Sequence, residues 1–508
     1  MPHAHDQEVE IKFSCDPATM ALVLKAEALK GPLAHHVKSL HTTYFDTADH
    51  RLRKAHAILR VRWSDAKDPV LCFKSVPPEQ SEAFHRREIE SSSPEGLPDI
   101  ALFGGETTKW LKRHLGTKRL KAQFELKVQR QTLLVAHGSA EIEISVDEGL
   151  VISGEKTAPL VELELELKNG KEAGLFDLAA HLVQEFPLAL SFSTKSERGF
   201  RLIGKESADP IAIPPLCFTA ELSLDDVIAA CLSHTLYQFT AQWDGLSNGK
   251  APEAIHQMRV ALRRLRTFLS VFAKAYPGQP FKDVRRQARD INSVLGKARN
   301  FEVLRDVLDE VFDAEKLPLK KRKAVMSHIA EQQGLALAEA RSLINSREAA
   351  LFVLRLQHLI AVRGWAIEEG GAKKPSGKFV SRALSRLHAR VLKQGSSFST
   401  LSMEELHALR LALKAMSNAT NAFASMIKPS DDAEAFQSAS LKLQKGLGVV
   451  NDAGFALLFL NENSLDEALI DKDEAGLMVE NLSNTIEAKR AKLHRAWRRF
   501  KELAPYWA

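Results

Sequence analysis

Glu8-Val9-Glu10-Ile11-Lys12 sets a charged side chain at every second position, with Val9, Ile11 and Phe13 at the alternate ones. Side chains of a strand alternate sides, so Glu8, Glu10 and Lys12 point together and the apolar residues point the other way. Two carboxylates followed by an ammonium have the chemistry to hold a divalent cation beside the phosphate it neutralises. The pattern recurs along the first 200 or so residues. Arg60-Val61-Arg62 follows Ala57-Ile58-Leu59, Glu141-Ile142-Glu143-Ile144-Ser145-Val146-Asp147 alternates acid with β-branched residue, and Glu162-Leu163-Glu164-Leu165-Glu166-Leu167-Lys168 does so again. Antiparallel sheets usually alternate apolar-in with polar-out. Acid-bearing strands facing arginine-bearing strands fit a sheet curled around a charged ligand and its metal. The competing reading is a solvated sheet face with interstrand ion pairs, each worth about 0.2–1 kcal/mol.

These side chains need strands to hold them, and the N-terminal region supplies short β-type runs with turns and a few helices. Asp16-Pro17 is a good helix start, a capping side chain followed by proline, for a helix reaching about Lys30 before Gly31-Pro32. A second helix is expected from Leu175 to Phe186. Ser207–Pro215, with three prolines, reads as a linker. Beyond it the apolar period becomes helical, in long amphipathic stretches near 222–243, 253–276, 281–313, 319–345, 348–369, 377–394, 402–428, 432–461 and 474–503. The expected fold is an α+β domain built on an antiparallel β-barrel tunnel over 1–204. A linker over 205–218 joins it to an all-α domain of two pseudosymmetric bundles over 219–508.

The ordered set Glu8-x-Glu10-x-Lys12, Tyr44-Phe45-Asp46-Thr47, Leu59-Arg60-Val61-Arg62, Lys74 and the later acidic strands resembles the CYTH superfamily, the triphosphate tunnel metalloenzymes, from about residue 5 to about 203. The resemblance implies that Lys12, Arg60, Arg62, Lys74, Arg130 and Lys195 cradle phosphates, with Arg87 and Arg198 as further candidates and Lys127 as an alternative or aid to Arg130. Glu8, Glu10, Asp147, Glu162 and Glu164 are expected to hold the metal, Mg²⁺ or Mn²⁺, and to orient water, with Glu143 and Glu166 sharing their faces. The register of Glu162, Glu164 and Glu166 stays open in the sequence.

The helical part contains a repeat. His256-x-x-Arg259-x-x-x-Arg263 is followed by Leu295-Gly296-x-x-Arg299-Asn300; His407-x-x-Arg410-x-x-x-Lys414 is followed by Leu447-Gly448-x-x-Asn451-Asp452. Spacings of three and seven put each trio on one helix face. Arg264 and Arg266 broaden the first face, and Lys297 and Arg299 follow the downstream glycine. Two basic faces along a groove suit a linear anion with regularly spaced charges; the alternative is a local hydrogen-bond role for each histidine beside solvated arginines. This half resembles the CHAD domain, the conserved-histidine α-helical domain, over roughly 219–505. The resemblance implies binding of inorganic polyphosphate by His256, Arg259, Arg263, Arg266, Arg299, His407, Arg410 and Lys414. Asn300 in the first copy and Asn451 in the second depart from the usual Arg-Asp pair, and the basic-aromatic pair expected near Ser417-Asn418 is missing, which weighs against the second copy.

Charge follows the same division. Residues 1–205 hold 28 Lys and Arg against 29 Asp and Glu, and residues 206–508 hold 42 against 35, a net of −1 against +7. That favours a polyanionic partner for the second part. The four cysteines show no metal or disulfide spacing, and the N-terminus lacks a signal-peptide pattern, so the expected location is the cytoplasm, with polyphosphate granules as a possible association and no membrane partner. P-loop and His-Glu-x-x-His motifs are missing, and nucleic acid is not the expected partner. The activity expected is metal-dependent hydrolysis of tripolyphosphate. The alternatives are a non-catalytic polyphosphate binder, or a tunnel enzyme acting on thiamine triphosphate or, as an adenylate cyclase, on ATP. No aromatic cluster clearly marks a base or thiazolium site; Trp63 and Tyr44 are weak candidates for holding an organic group.

Overall fold

The computed structural model describes residues 8–65, 67–75, 84–205, 213–248, 251–365, 375–428, 430–461 and 470–507. Its strands are β1 (Glu8–Ser14), β2 (Ala34–Asp46), β3 (Ala57–Ser64), β4 (Lys67–Ser75), β5 (His85–Ser92), β6 (Lys121–His137), β7 (Ala140–Ser153), β8 (Lys156–Asn169) and the short β9 (Ala189–Leu190). They pair antiparallel in the order β5-β4-β3-β2-β6-β7-β8-β1-β9. β1 also pairs with β5 through Glu8↔Arg86 and Val9↔His85, which closes eight strands into a barrel and removes its free edges.

The barrel is inside out with respect to polarity. Ile11, Phe13, Ile142, Ile144, Leu163 and Leu165 are fully buried on its outer side, where helix Glu172–Glu185 packs against β7 and β8. Each intervening position carries a charge or a polar group, and those side chains share the lumen. One end is filled by Tyr44, Phe124, Leu126, Val128, Val151, Leu160 and Phe200. Phe200 comes from helix Lys195–Leu202, and this helix can lie on Phe124 because Gly199 has no side chain: a Cβ there would stand 2.1 Å from the Phe124 ring.

Two helices differ in extent from the sequence expectation. Asp16 does cap Thr19, accepting its N–H at 2.9 Å, but the α-helix ends at Val23 and is followed by a 3₁₀ turn at Glu27–Leu29. The buried residues Met20, Val23, Ala26 and Leu29 recur every third position, which suits 3₁₀ rather than α geometry. The second helix begins at Glu172, not Leu175, and includes Gly174. That glycine is needed inside the helix because a Cβ would approach Ala140 Cβ to 2.7 Å.

From Leu224 onward the described residues form α-helices, the longest being Gln279–Ala314, Asp431–Asn461 and Lys472–Lys501. None is long and apolar enough to cross a membrane. The central part of the expected linker, 206–212, lies outside the described residues. The compact units do not follow chain order: the first contains Met1–Pro214 with Leu236–Met258 and Arg341–Gly364, and the second Pro215–Thr235, Arg259–Ala340 and Trp365–Ala508. Within the first, helix Arg347–Ala361 packs on helix Glu172–Glu185.

Candidate active site

Strand pairing sets the order of charges around the lumen. Glu10 and Lys12 on β1 stand opposite Glu166 and Glu164 on β8; Glu162 and Glu164 stand opposite Asp147 and Ser145 on β7; Asp147 stands opposite Arg130 on β6. Arg60 on β3 pairs with Tyr44 of β2 and Cys72 of β4, and Lys74 of β4 pairs with Glu88 of β5. The even parity of Glu162, Glu164 and Glu166 therefore puts all three on one face. Together these residues surround a cavity of about 1070 Å³.

Two linked ion clusters fill this lining. Arg130 grips Asp147 with two bonds of 2.6 Å and reaches Glu164 at 2.8 Å. Lys195, from the helix at the closed end, lies 2.9 Å from Asp147, 2.6 Å from Glu162 and 2.7 Å from Glu164, and Arg198 donates to Glu162 at 3.0 Å. Lys12 joins this cluster through Glu164 at 2.9 Å and touches Glu10 at 3.1 Å. On the other side Lys74 sits 2.7 Å from both Glu8 and Glu88, and Arg60 donates to Glu88 at 3.0 Å. Arg62 is looser, 4.0 Å from Glu90.

The titration behaviour differs from group to group along the lining: burial raises Glu162 despite Lys195 beside it. Burial pushes Asp147 up, but Lys195 and Arg130 outweigh it and hold the carboxyl down at about 2. Burial likewise works against the ionised Glu164, yet Lys12, Lys195 and Arg130 keep it well below the carboxylate range. Burial disfavours the charged Lys74, and Glu10, Glu8 and Glu88 more than restore it. Glu8 behaves oppositely. Burial, reinforced by the neighbouring Glu10, raises it to about 7 despite Lys74. Glu166 is raised too, first by burial and further by Glu143 and Glu10. Glu8, Glu10 and Glu166 crowd together although Lys74, Lys12 and Lys168 each pair with one of them, and a divalent cation would relieve that crowding.

All eleven tunnel residues singled out in the sequence lie in this lining or its buried wall. Asp147, Glu162 and Glu164 pair with lysines and arginines, whereas Glu166 stands opposite Glu10, near Glu8. Lys127 has the opposite parity to Arg130 and is exposed on the outer side. The Arg87 side chain lies outside the described residues. Sequence reasoning missed Glu88, Glu90 and Cys72. Glu88-Ile89-Glu90 has the same alternation as the other acidic runs and was there to be found. Cys72 carried no signal; its thiol donates to Glu88 at 2.6 Å, and burial pushes its pKa up to about 12.

A second basic cluster lies within the second compact unit. Arg259 and Arg263, on helix Ala251–Phe272, and Arg410 and Lys414, on helix Met403–Ala422, are all lowered by burial, and the charge of Arg410 lowers the other three further. Burial comes first and Arg410 and Arg263 next in bringing Lys414 down to about 7; burial, Arg259 and Arg410 bring Arg263 to about 10. The structure also explains why His-x-x-Arg is linked to Leu-Gly. Arg259 donates to the Asn292 carbonyl at 2.8 Å, and its guanidinium occupies the space a Cβ on Gly296 would need, 2.3 Å away. Arg410 also lies beside Gly448, but at 3.8 Å from such a Cβ, an ordinary contact that does not demand glycine. Arg299 forms an ion pair with Glu302, and its charge bears on Arg259. Arg266 lies further along the helix, where its neighbours in charge are Arg285, Arg289 and Asp290. His407 is exposed and hydrogen-bonded to Asn451. His256 falls in the portion of the same helix that belongs to the first unit.

Residues 6–200 match the CYTH domain and residues 230–461 the CHAD domain. The chain carries a CYTH domain followed by a CHAD domain. An inorganic triphosphatase of Haemophilus influenzae is 30% identical over 205 residues, which are 39% of this chain and 56% of the relative; the match thus spans little more than half of that protein. A CHAD domain structure from Ricinus communis is 23% identical and covers 58% of this chain and 97% of its own, with a TM-score of 0.45. A Hippeastrum adenylyl cyclase homologue with a dominant triphosphatase activity is 18% identical and covers 39% of this chain and 95% of its own, with a TM-score of 0.30.

The raised pKa of Glu8 has a definite sign. Between about pH 4.5 and 7 the folded chain holds a proton on Glu8 that the unfolded chain releases, so metal-free stability from this group falls as pH rises through that window, by at most roughly 3 kcal/mol. A divalent cation favours the ionised form. Added Mg²⁺ or Mn²⁺ should therefore raise the melting temperature more at pH 8 than at pH 6, and Glu8→Gln should flatten this difference; thermal melts at the two pH values, with and without metal, measure it.

Proposed function

We propose that the barrel is a divalent-metal-dependent inorganic triphosphatase, hydrolysing tripolyphosphate to pyrophosphate and orthophosphate. The closed ring of lysines and arginines interleaved with carboxylates inside the barrel is the observation that carries this reading. A linear triphosphate brings roughly four negative charges, its last ionisation lying near pH 6. Lys12, Arg60, Arg62, Lys74, Arg130 and Lys195 each have a carboxylate partner in the lumen and would exchange it for a phosphoryl oxygen as the substrate enters. Arginine forks suit the non-bridging oxygens, and the lysines act as point charges.

Glu8 and Glu10, with Glu166, would hold the divalent ion; when bound it supplies charge neutralisation and Lewis acidity toward the phosphoryl oxygens. The chain's own groups do the rest. The cations fix the chain of phosphates along the lumen and stabilise charge as water attacks the terminal phosphorus in line. The anhydride P–O bond breaks and pyrophosphate leaves. Asp147, Glu162 and Glu164 keep Arg130 and Lys195 aimed inward, so the donors are ordered before the substrate arrives. Trp63 lies outside the lumen, stacked on His41 at 5.2 Å. Tyr44 lines the cavity but is stacked on Phe124 at 4.8 Å. Neither offers a free ring to a nucleobase or thiazolium, which supports an inorganic substrate.

The helical module from about residue 219, read as a duplicated bundle, is proposed to bind inorganic polyphosphate through Arg259, Arg263, Arg410 and Lys414. Mutually repelling cations gathered from both copies of the repeat favour an anion of repeated charge. A soluble cytoplasmic enzyme that associates with polyphosphate granules would fit both modules.

Phosphate release from tripolyphosphate with Mg²⁺ or Mn²⁺ tests the first reading. Arg60→Ala and Glu8→Gln should each lower the rate by roughly 10²–10³-fold; rates equal to wild type in both would end the catalytic account. Binding of long-chain polyphosphate to the full chain tests the second. Affinity should fall steeply with salt, by analogy with other polyanions, and Arg259→Ala with Arg410→Ala should weaken it without altering triphosphate hydrolysis. Unchanged affinity in the double variant would remove the helical module from polyphosphate binding.

A further inference from the structure

Outside the lumen, a group of side chains with metal-ligand chemistry forms where the β6–β7 hairpin meets the helix that covers the barrel. His137 is the last residue of β6. Its parity is opposite to that of Arg130, and it takes no part in the cavity lining. Asp177 and His181 lie one turn apart on helix Glu172–Glu185. His137 Nε2 is 2.8 Å from Asp177 Oδ2, and His181 Nδ1 is 3.5 Å from the same oxygen. The three ligand atoms lie within 4.8 Å of one another.

The backbone fixes this arrangement. Gly138 turns the hairpin with φ +57°, and Gly174 lets the first turn of the helix lie against it, since a Cβ would stand 2.7 Å from Ala140 Cβ and 3.0 Å from the His137 carbonyl oxygen. Positions 174, 177 and 181 share one helix face, so the contact at Gly174 aims Asp177 and His181 at His137.

We propose that His137, Asp177 and His181 form a binding site for a first-row transition-metal dication of the Zn²⁺ class, separate from the tunnel. Two imidazoles and one carboxylate suit Zn²⁺, Ni²⁺ or Cu²⁺ and are a poor set for Mg²⁺, which takes oxygen ligands. In a tetrahedral site with bonds of about 2.0–2.1 Å, neighbouring donors stand about 3.3–3.4 Å apart; the observed 2.8 and 3.5 Å bracket that spacing. The side chains are 25%, 48% and 56% exposed, which leaves an approach for the ion and room for water at the fourth position. His181 Nδ1 also lies 3.0 Å from the Asp177 carbonyl oxygen. The ion either displaces that contact or takes Nε2 while the carbonyl holds the Nδ1 proton, a usual support for a ligating histidine. A bound ion would pin the covering helix to the hairpin and so raise the melting temperature of the barrel.

The test is calorimetric titration of the tag-free full-length chain with Zn²⁺ alone, in a background of saturating Mg²⁺, with Co²⁺ absorption as a second probe of ligand geometry. One Zn²⁺ equivalent should bind, weakened roughly tenfold or more by His137→Ala and by His181→Ala, and retained in Glu8→Gln. Histidine ring NMR signals that shift with Zn²⁺ in the wild type, and lose two members in the double variant, keep the test decisive even if one variant is destabilised. No Zn²⁺ binding, binding unaffected by either histidine variant, or binding lost only in Glu8→Gln would each overturn the proposal.

Discussion

Mutual neutralisation of carboxylates and cations inside a closed barrel is the interaction on which the rest of this structure depends. Charges taken out of water are costly unless they are paired and hydrogen-bonded, and removing one member of a buried pair leaves the other uncompensated. Here the pairs share members. Glu164 serves Lys12, Arg130 and Lys195; Glu88 serves Arg60 and Lys74. The lumen can therefore carry many charges while the apolar side of each strand faces outward under covering helices. That inversion is what creates an enclosed cavity lined by charges. The crowding of Glu8, Glu10 and Glu166 is the feature on which the proposed metal site rests.

Much of this was legible from side-chain alternation alone. Glu8-x-Glu10-x-Lys12, Arg60-x-Arg62 and Glu162-x-Glu164-x-Glu166 each state a shared face, because strand parity permits no other arrangement. Which acid meets which base was not legible, since it depends on strand pairing between distant segments: Lys195 meets Asp147 only because a helix lies across one barrel end. Glu88 and Glu90 carried the same signal as the other acidic runs and were passed over. Helix limits were misjudged where a glycine read as a boundary is a packing necessity, as Gly174 is, and where a period of three replaced 3.6, as it does after Val23.

The helical repeat illustrates a different kind of legibility. The linked motifs His-x-x-Arg and Leu-Gly were visible as a spacing with no stated cause. In the first copy Arg259 occupies the space left by Gly296, whereas in the second Arg410 stands at ordinary van der Waals distance from Gly448. Arg259 against Gly296 is the tight case and Arg410 against Gly448 the looser one. The basic faces of the two copies come together within one compact unit, whereas Arg266, included on helical spacing, points to a different set of neighbours.

The most direct test of the central claim is a crystal structure with tripolyphosphate and Mn²⁺, read by anomalous scattering. The account requires Mn²⁺ beside Glu8 and Glu10, and phosphate oxygens on Arg60, Arg62, Lys74 and Arg130, with carboxylate partners released from those cations. Manganese and phosphate bound outside the barrel, with the lining's ion pairs intact, would contradict it.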